Sequence, residues 1–273
     1  MQYQTISLRE EDPRVTLTAY IADERRVVRD ALLVLPGGGY TQICSDREGE
    51  PIALAFLARG YNTFVLRYSV GEEAVFPRPL VDASLAMQYI RRHADAFCID
   101  PARVFAVGFS AGGHLCAALG TLWNAPELRA ALPDLPPRIN RPTGMLLCYA
   151  VLSADLPATH MGSFFHILGT EHPDREALLR YSLDHCVDAE TSPAFLMHTA
   201  DDPVVPVGNA LNMIRALVGH RIPCEARIYA RGPHGLALAT AATAMGNPEL
   251  MHPEAAHWVE DADRWMRALP SAE

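Results

Sequence analysis

Ser110 stands at the centre of Gly108-Phe109-Ser110-Ala111-Gly112, and Asp201-Asp202 and His234 follow it along the chain. A serine hydroxyl is a weak nucleophile until an imidazole takes its proton. The imidazole in turn needs a carboxylate to fix its tautomer and steady the imidazolium. These residue types, in the order serine, acid, histidine, point to acyl transfer through Ser110. Of the adjacent aspartates only one can face His234. Asp201, first after its strand, is the expected acid, and Asp202 is expected to orient the loop.

The elements around these residues must bring them together. Val104 to Val107 reads as a buried strand that stops at Gly108, and a helical segment runs from Gly113 to Leu122. Strand, sharp turn and helix make a nucleophile elbow, and its glycines let strand and helix pack closely. A five-residue match alone is weak, since a glycine-rich turn gives the same letters. Ala31 to Leu35 is another continuous apolar run, as expected of a strand covered on both faces, and it ends in Pro36-Gly37-Gly38-Gly39-Tyr40. Three glycines could be a flexible turn, or a loop whose amides reach an oxyanion because no Cβ stands in the way. Ala194 to Thr199 leads into the aspartates, and Cys224 to Tyr229 leads into Gly232-Pro233-His234-Gly235.

The remaining segments keep the strand–helix rhythm. Thr5 to Leu8 and Val15 to Ile21 read as an antiparallel edge. Glu50 to Ala58 reads as a helix and Tyr61 to Tyr68 as a strand. Leu80, Ala83, Met87 and Ile90 mark the buried face of a helix within Pro77 to Ala94. The proline-rich stretch 126–142 reads as a surface loop and Gly144 to Val151 as a strand. Asn209 to Val218 and a closing segment with Trp258 and Trp265 read as helices. The pattern predicts a mostly parallel sheet flanked by helices, folded as one domain. The segment from Ser153 to Val187 breaks the rhythm, with short helices at Met161 to Leu168 and Glu176 to Tyr181. An insertion there is placed to cap the site. Its Phe164 and Phe165, with Tyr40 of the glycine loop, are candidate substrate contacts, although packing is the plainer role for the phenylalanines.

Composition narrows the partners. The chain has 273 residues, 49% hydrophobic and 20% charged, enough for a large core. Its formal charge of -9 disfavours nucleic acid or an anionic membrane as a main partner. No run of apolar residues is long enough to span a bilayer, and Met1 to Asp12 is mixed polar rather than a basic start followed by an apolar run. The cysteines, Cys44, Cys98, Cys116, Cys148, Cys186 and Cys224, show neither CxxC pairing nor zinc-site spacing. Buried free thiols and a cytoplasmic location are the expectation. Among the other histidines, His114 and His198 lie within a helix and a strand and read as structural. His160, His166, His172 and His185 fall in the insertion, where they could touch substrate, although solvated loop residues are the plainer reading, and His257 belongs to the last helix. Asp82, facing into an apolar helix, reads as a buried carboxylate bonded to loop backbone.

Together Gly37-Gly38-Gly39-Tyr40, Gly108-Phe109-Ser110-Ala111-Gly112-Gly113-His114, Thr199-Ala200-Asp201-Asp202-Pro203-Val204-Val205-Pro206 and Gly232-Pro233-His234-Gly235 resemble the α/β-hydrolase esterases grouped with acetylxylan esterases and the BD-FAE-like proteins. The resemblance runs from about residue 30 to the end. It implies an α/β-hydrolase fold, Ser110 as nucleophile, Asp201 as acid and His234 as base. It further implies an oxyanion hole from the amides of Ala111 and of one or both of Gly38 and Gly39, and an acetylated sugar or similar ester as substrate. No metal or cofactor is called for, and the chain could assemble as a homo-oligomer. One departure stands out: related lipase-like esterases have histidine ahead of the glycines, where this chain has Pro36. A serine aminopeptidase of the prolyl-oligopeptidase kind shares the core and loop motifs, but no propeller precedes Ala31 and no acidic pair for a free amine is evident. A binding protein on a retired hydrolase scaffold is the non-enzymatic alternative.

Overall fold

The computed structural model describes residues 1–157 and 159–270. Eight strands form one sheet: β1 (Gln2–Ser7), β2 (Thr16–Ile21), β3 (Arg29–Leu35), β4 (Asn62–Arg67), β5 (Ile99–Phe109), β6 (Met145–Cys148), β7 (Ala194–Thr199) and β8 (Cys224–Tyr229). Their order is β1-β2-β4-β3-β5-β6-β7-β8. β1 pairs with β2 and β2 with β4 antiparallel, while every pairing from β4 across to β8 is parallel. The helices are α1 (Ser45–Glu48), α2 (Glu50–Leu57), α3 (Arg78–Arg92), α4 (Ala94–Phe97), α5 (Ala111–Thr121), α6 (Pro126–Ala131), α7 (Met161–Leu168), α8 (Arg175–Arg180), α9 (Gly208–Gly219) and α10 (Trp258–Ala268). This is the α/β-hydrolase arrangement that the sequence implies.

The continuous apolar runs are explained by helices on both faces. Alternate residues of β3 point oppositely. Ala31, Leu33 and Leu35 pack with Leu80, Ala83 and Met87 of α3 and Leu115 of α5. Leu32 and Val34 pack with Ile52 and Phe56 of α2 and Trp258 of α10. Asp82 is wholly buried, and its carboxylate accepts the backbone N–H of Ser69 at 2.9 Å and the Ser69 hydroxyl at 2.6 Å, as the sequence suggests. No helix among the described residues is long and apolar enough to cross a membrane.

Several boundaries differ from expectation: β1 begins at Gln2 rather than Thr5 and β5 at Ile99 rather than Val104, and two further differences have a local cause. The stretch read as a loop from 126 to 142 opens with α6, where Pro126 occupies the first turn and its missing N–H costs nothing, while Leu128 is buried. The strand expected over 144–151 stops at Cys148, because Tyr149 takes φ 38° and turns the chain out of the sheet.

Because β3 and β5 to β8 run parallel, the loops following β3, β5, β7 and β8 meet at one edge of the sheet. That edge collects the glycine loop, Ser110, the aspartates and His234.

Candidate active site

Ser110 follows β5 directly and holds φ 52°, ψ -118°, a conformation that an L-residue adopts only under constraint. Its surroundings supply the constraint. The Ser110 N–H donates to the Cys148 carbonyl at 3.1 Å, and the Ser110 carbonyl accepts from His114 at 3.1 Å and Val151 at 3.2 Å. The flanking glycines are demanded by contact. A Cβ on Gly108 would lie 2.2 Å from the Gly112 carbonyl oxygen, and one on Gly112 would lie 2.2 Å from that of Leu35. α5 thus presses on both β5 and the glycine loop, with its N-terminus behind Ser110.

His234 lies past β8. Its Nε2 is 2.9 Å from the Ser110 hydroxyl, and its Nδ1 is 2.8 Å from Oδ2 of Asp202. The partner is therefore Asp202, not the expected Asp201. Asp202 is 7% exposed, and its Oδ1 accepts the N–H groups of Val204 at 2.8 Å and Val205 at 2.9 Å. That turn rolls the second aspartate inward and leaves Asp201 exposed, where its Oδ1 accepts the Gly232 N–H at 2.8 Å. Asp201 thus does the loop-anchoring expected of Asp202, on the histidine loop. Burial pushes the Asp202 carboxyl up. The hydrogen bond from His234, the charge of that ring and the two backbone N–H groups outweigh it, so the group is held below its usual range.

In the glycine loop, Gly38 and Gly39 have φ of +132° and +66°. A Cβ on Gly38 would lie 2.1 Å from the Gln42 carbonyl oxygen. The loop closes on itself, with the N–H groups of Thr41 and Gln42 donating to the Gly38 carbonyl at 3.0 and 3.1 Å. Among the described residues, the amides of Gly38, Gly39 and Ala111 donate to no protein acceptor. They are the donors that the sequence marks for an oxyanion. Pro36, the departure from the lipase-like pattern, serves through its carbonyl, which accepts the Tyr68 hydroxyl at 2.6 Å.

Two candidate substrate contacts are corrected. Tyr40 is fully buried, and its hydroxyl meets Nδ1 of His114 at 2.9 Å. Phe164 is likewise fully buried, edge-on to His114 at 5.8 Å. Neither side chain reaches the surface. Tyr40 packs edge-on to Tyr68, Phe76 and His114, whereas Phe164 is carried into the core by the insertion as it folds down onto α5. Phe165 is half-buried and lines a recess with Glu72, Val75 and His166. His114 is structural, as expected. Its Nε2 donates to the Tyr181 carbonyl at 2.9 Å, so Nδ1 accepts from Tyr40, and burial lowers its pKa to about 4. His198 donates from Nε2 to the Val205 carbonyl at 2.8 Å and steadies the loop that carries Asp202.

Two residues at the site, Glu48 and Tyr149, escape sequence reasoning, and a third, His160, is among the insertion histidines that the sequence leaves open as substrate contacts. Glu48, in the polar α1, is 1% exposed and accepts the Gly37 N–H at 2.8 Å. Tyr149 donates its hydroxyl to Glu48 at 2.9 Å and sets its ring edge-on to His234 at 5.0 Å. His160 from the insertion comes within 3.7 Å of where a Cβ on Gly39 would stand. Only for Tyr149, the first residue after a buried strand, does position in the sequence carry a signal.

The BD-FAE family model matches residues 17–143. Endo-1,4-beta-xylanase B of Butyrivibrio fibrisolvens is 37% identical over 226 residues, a span that covers 82% of this chain and 35% of that protein. The acetylxylan esterase of Xylanibacter ruminicola is 29% identical over 215 residues, covering 77% of this chain and 42% of that protein. The chain thus spans less than half the length of either relative. The crystal structure of the acetyl ester-xyloside bifunctional hydrolase from Caldicellulosiruptor lactoaceticus aligns with a TM-score of 0.82 at 32% identity, over 97% of this chain and 96% of that one. The fold agrees with these likenesses, and the chain belongs to the BD-FAE-like esterases of the α/β-hydrolase fold.

Proposed function

We propose that this protein is a serine carboxylic-ester hydrolase that removes acetyl groups from carbohydrate hydroxyls through an acyl-enzyme on Ser110. The observation that carries this reading is the continuous hydrogen-bonded path Ser110–His234–Asp202. His234 takes the Ser110 proton as Oγ attacks the ester carbonyl, and Asp202 holds Nδ1 protonated and faces the imidazolium. The amides of Gly38, Gly39 and Ala111 receive the oxyanion of the tetrahedral intermediate. Collapse expels the sugar alcohol, which takes the proton from His234 Nε2. Water then attacks the acyl-enzyme with His234 again as base, releasing acetate and free Ser110. The choice of acetyl and sugar rests on what the acetylxylan esterase and the acetyl ester-xyloside hydrolase are named for. We take the segment 153–187 as the cap, with His160 beside the glycine loop.

The test is acetate release from acetylated xylo-oligosaccharides, alongside p-nitrophenyl esters of increasing chain length and an aminoacyl anilide. The wild type is expected to prefer acetyl esters and spare the anilide, and Ser110→Ala to lose activity by about 10^4-fold or more. Activity that survives Ser110→Ala would sink the mechanism, and preference for the anilide would turn the reading to a peptidase.

A further inference from the structure

The loops that carry the oxyanion amides and the histidine are far apart in sequence, yet one buried carboxylate touches the fastenings of both. Glu48 accepts the Gly37 N–H through Oε2 at 2.8 Å, next to Gly38. Gly37 itself is pressed against the nucleophile: a Cβ there would lie 3.1 Å from Cβ of Ser110. Through Oε1, Glu48 accepts the Tyr149 hydroxyl at 2.9 Å. That hydroxyl in turn accepts the N–H of Ala237 at 3.0 Å, three residues beyond His234. Arg47, the neighbour of Glu48 on α1, donates to the Gly235 carbonyl at 2.9 Å and lies 3.8 Å from the Glu48 carboxylate. α1 therefore grips the glycine loop by one residue and the histidine loop by two routes.

We propose that Glu48 is a positioning residue of the reaction, which together with Tyr149 fixes the spacing between the oxyanion amides and the His234 imidazole. The inference rests on the serine-esterase reading of the site. A four-residue helix does not need a buried charge to fold. Such a group carries a desolvation penalty that its partners have to offset. Burial does push the Glu48 carboxyl up, against the pull of Arg47, the Gly37 N–H and the Tyr149 hydroxyl. Both oxygens nevertheless meet donors, the arrangement suited to the ionised form. What the arrangement secures is geometry. Oxyanion donors act over a few tenths of an ångström, and the histidine must meet the same tetrahedral centre from the other side.

Glu48→Gln separates this role from simple packing. The amide has the same shape but one acceptor: with its oxygen on the Gly37 N–H, its NH2 faces the Tyr149 hydroxyl, which loses the acceptor for its own proton while still accepting the Ala237 N–H. Glu48→Gln is expected to lower kcat about ten- to a hundredfold with KM changed less than about twofold, short of the loss of a whole oxyanion donor. Affinity for a trifluoromethyl ketone, which forms a tetrahedral oxyanion on the serine, should fall by the same factor. Tyr149→Phe should lower kcat about tenfold, and the double variant should be no worse than Glu48→Gln alone, because the two residues act as one unit. Unchanged kcat in both folded variants, additive losses, or ketone affinity that stays at the wild-type value would overturn the inference. If Glu48→Gln does not fold, Tyr149→Phe decides alone: unchanged kcat and ketone affinity overturn it. Ser110→Ala runs in parallel. Residual activity there overturns the reading of the site, whereas Ser110-dependent activity indifferent to Glu48 and Tyr149 overturns this inference only.

Discussion

The aspartate pair shows how one residue's displacement along a loop decides a role. Asp202 reaches His234 because the N–H groups of Val204 and Val205 both close onto its Oδ1, leaving Oδ2 to face Nδ1 of the ring. Asp202 is therefore both the acid and the acceptor that closes the turn after it, two roles that the sequence divides between Asp201 and Asp202. Asp202→Asn should reduce kcat by about 10^4-fold with the fold intact, because the amide favours the wrong tautomer of His234. Asp201→Asn keeps an oxygen for the Gly232 N–H and should stay within about threefold of wild type. Initial rates on a p-nitrophenyl acetate series check both, and the reverse ranking would return the role to Asp201.

At the level of elements, close approach explains the glycines better than flexibility does. Gly112→Ala would drive a methyl to 2.2 Å from the Leu35 carbonyl oxygen and 2.4 Å from that of Pro36, both backbone atoms that cannot swing aside. It should cost at least about 3 kcal/mol or prevent folding. Gly219, at the end of α9, has open space around its Cβ position, and Gly219→Ala should be neutral or stabilising by about 0.5 kcal/mol. Urea melts of the two variants give the comparison. The same contrast marks what was legible in the sequence. Strands such as 31–35 and 104–107 announce themselves because burial on both faces needs unbroken apolar runs, and Ser110, His234 and the glycine loop carry motif spacing. The fate of Tyr40 and Phe164 depends on both rings closing around His114 of α5, from the glycine loop and from the insertion, which no local pattern encodes. Glu48 was hidden for a different reason. A glutamate in a polar four-residue helix looks like any solvated charge until Gly37 and Tyr149 close around it.

Across the whole molecule, His114 links folding to pH. It is fully buried between Tyr40 and the Tyr181 carbonyl, and burial lowers its pKa to about 4 from the ordinary 6.5. Between those values the unfolded chain binds a proton that the native state refuses, so stability rises with pH across the window and is lost on acidification through it. The full span amounts to about 3 kcal/mol, and about 2 kcal/mol of it should be gone by pH 5. Asp202 has the same sign but a lower window: its depressed pKa gives stability that is present at neutral pH and lost only as pH falls through the carboxylate range. Urea midpoints of the wild type should therefore drop between pH 7 and pH 5, and His114→Gln should flatten that drop. Equal pH dependence in both proteins would remove His114 as its source.

The sheet's two borders are unequal. β1 lies open to solvent along nearly its whole length and is tied in by its ladder to β2, whereas Leu17, Ala19 and Ile21 of β2 belong to the core. The first strand thus works as a hem. Little packing energy goes with it if it lifts, but what it uncovers is a row of unpaired amides and carbonyls beside apolar side chains, the kind of seam to which another chain can stitch itself. Damage at the front of this protein would be felt first as sticking between molecules, while the chemistry at the far side of the sheet continued.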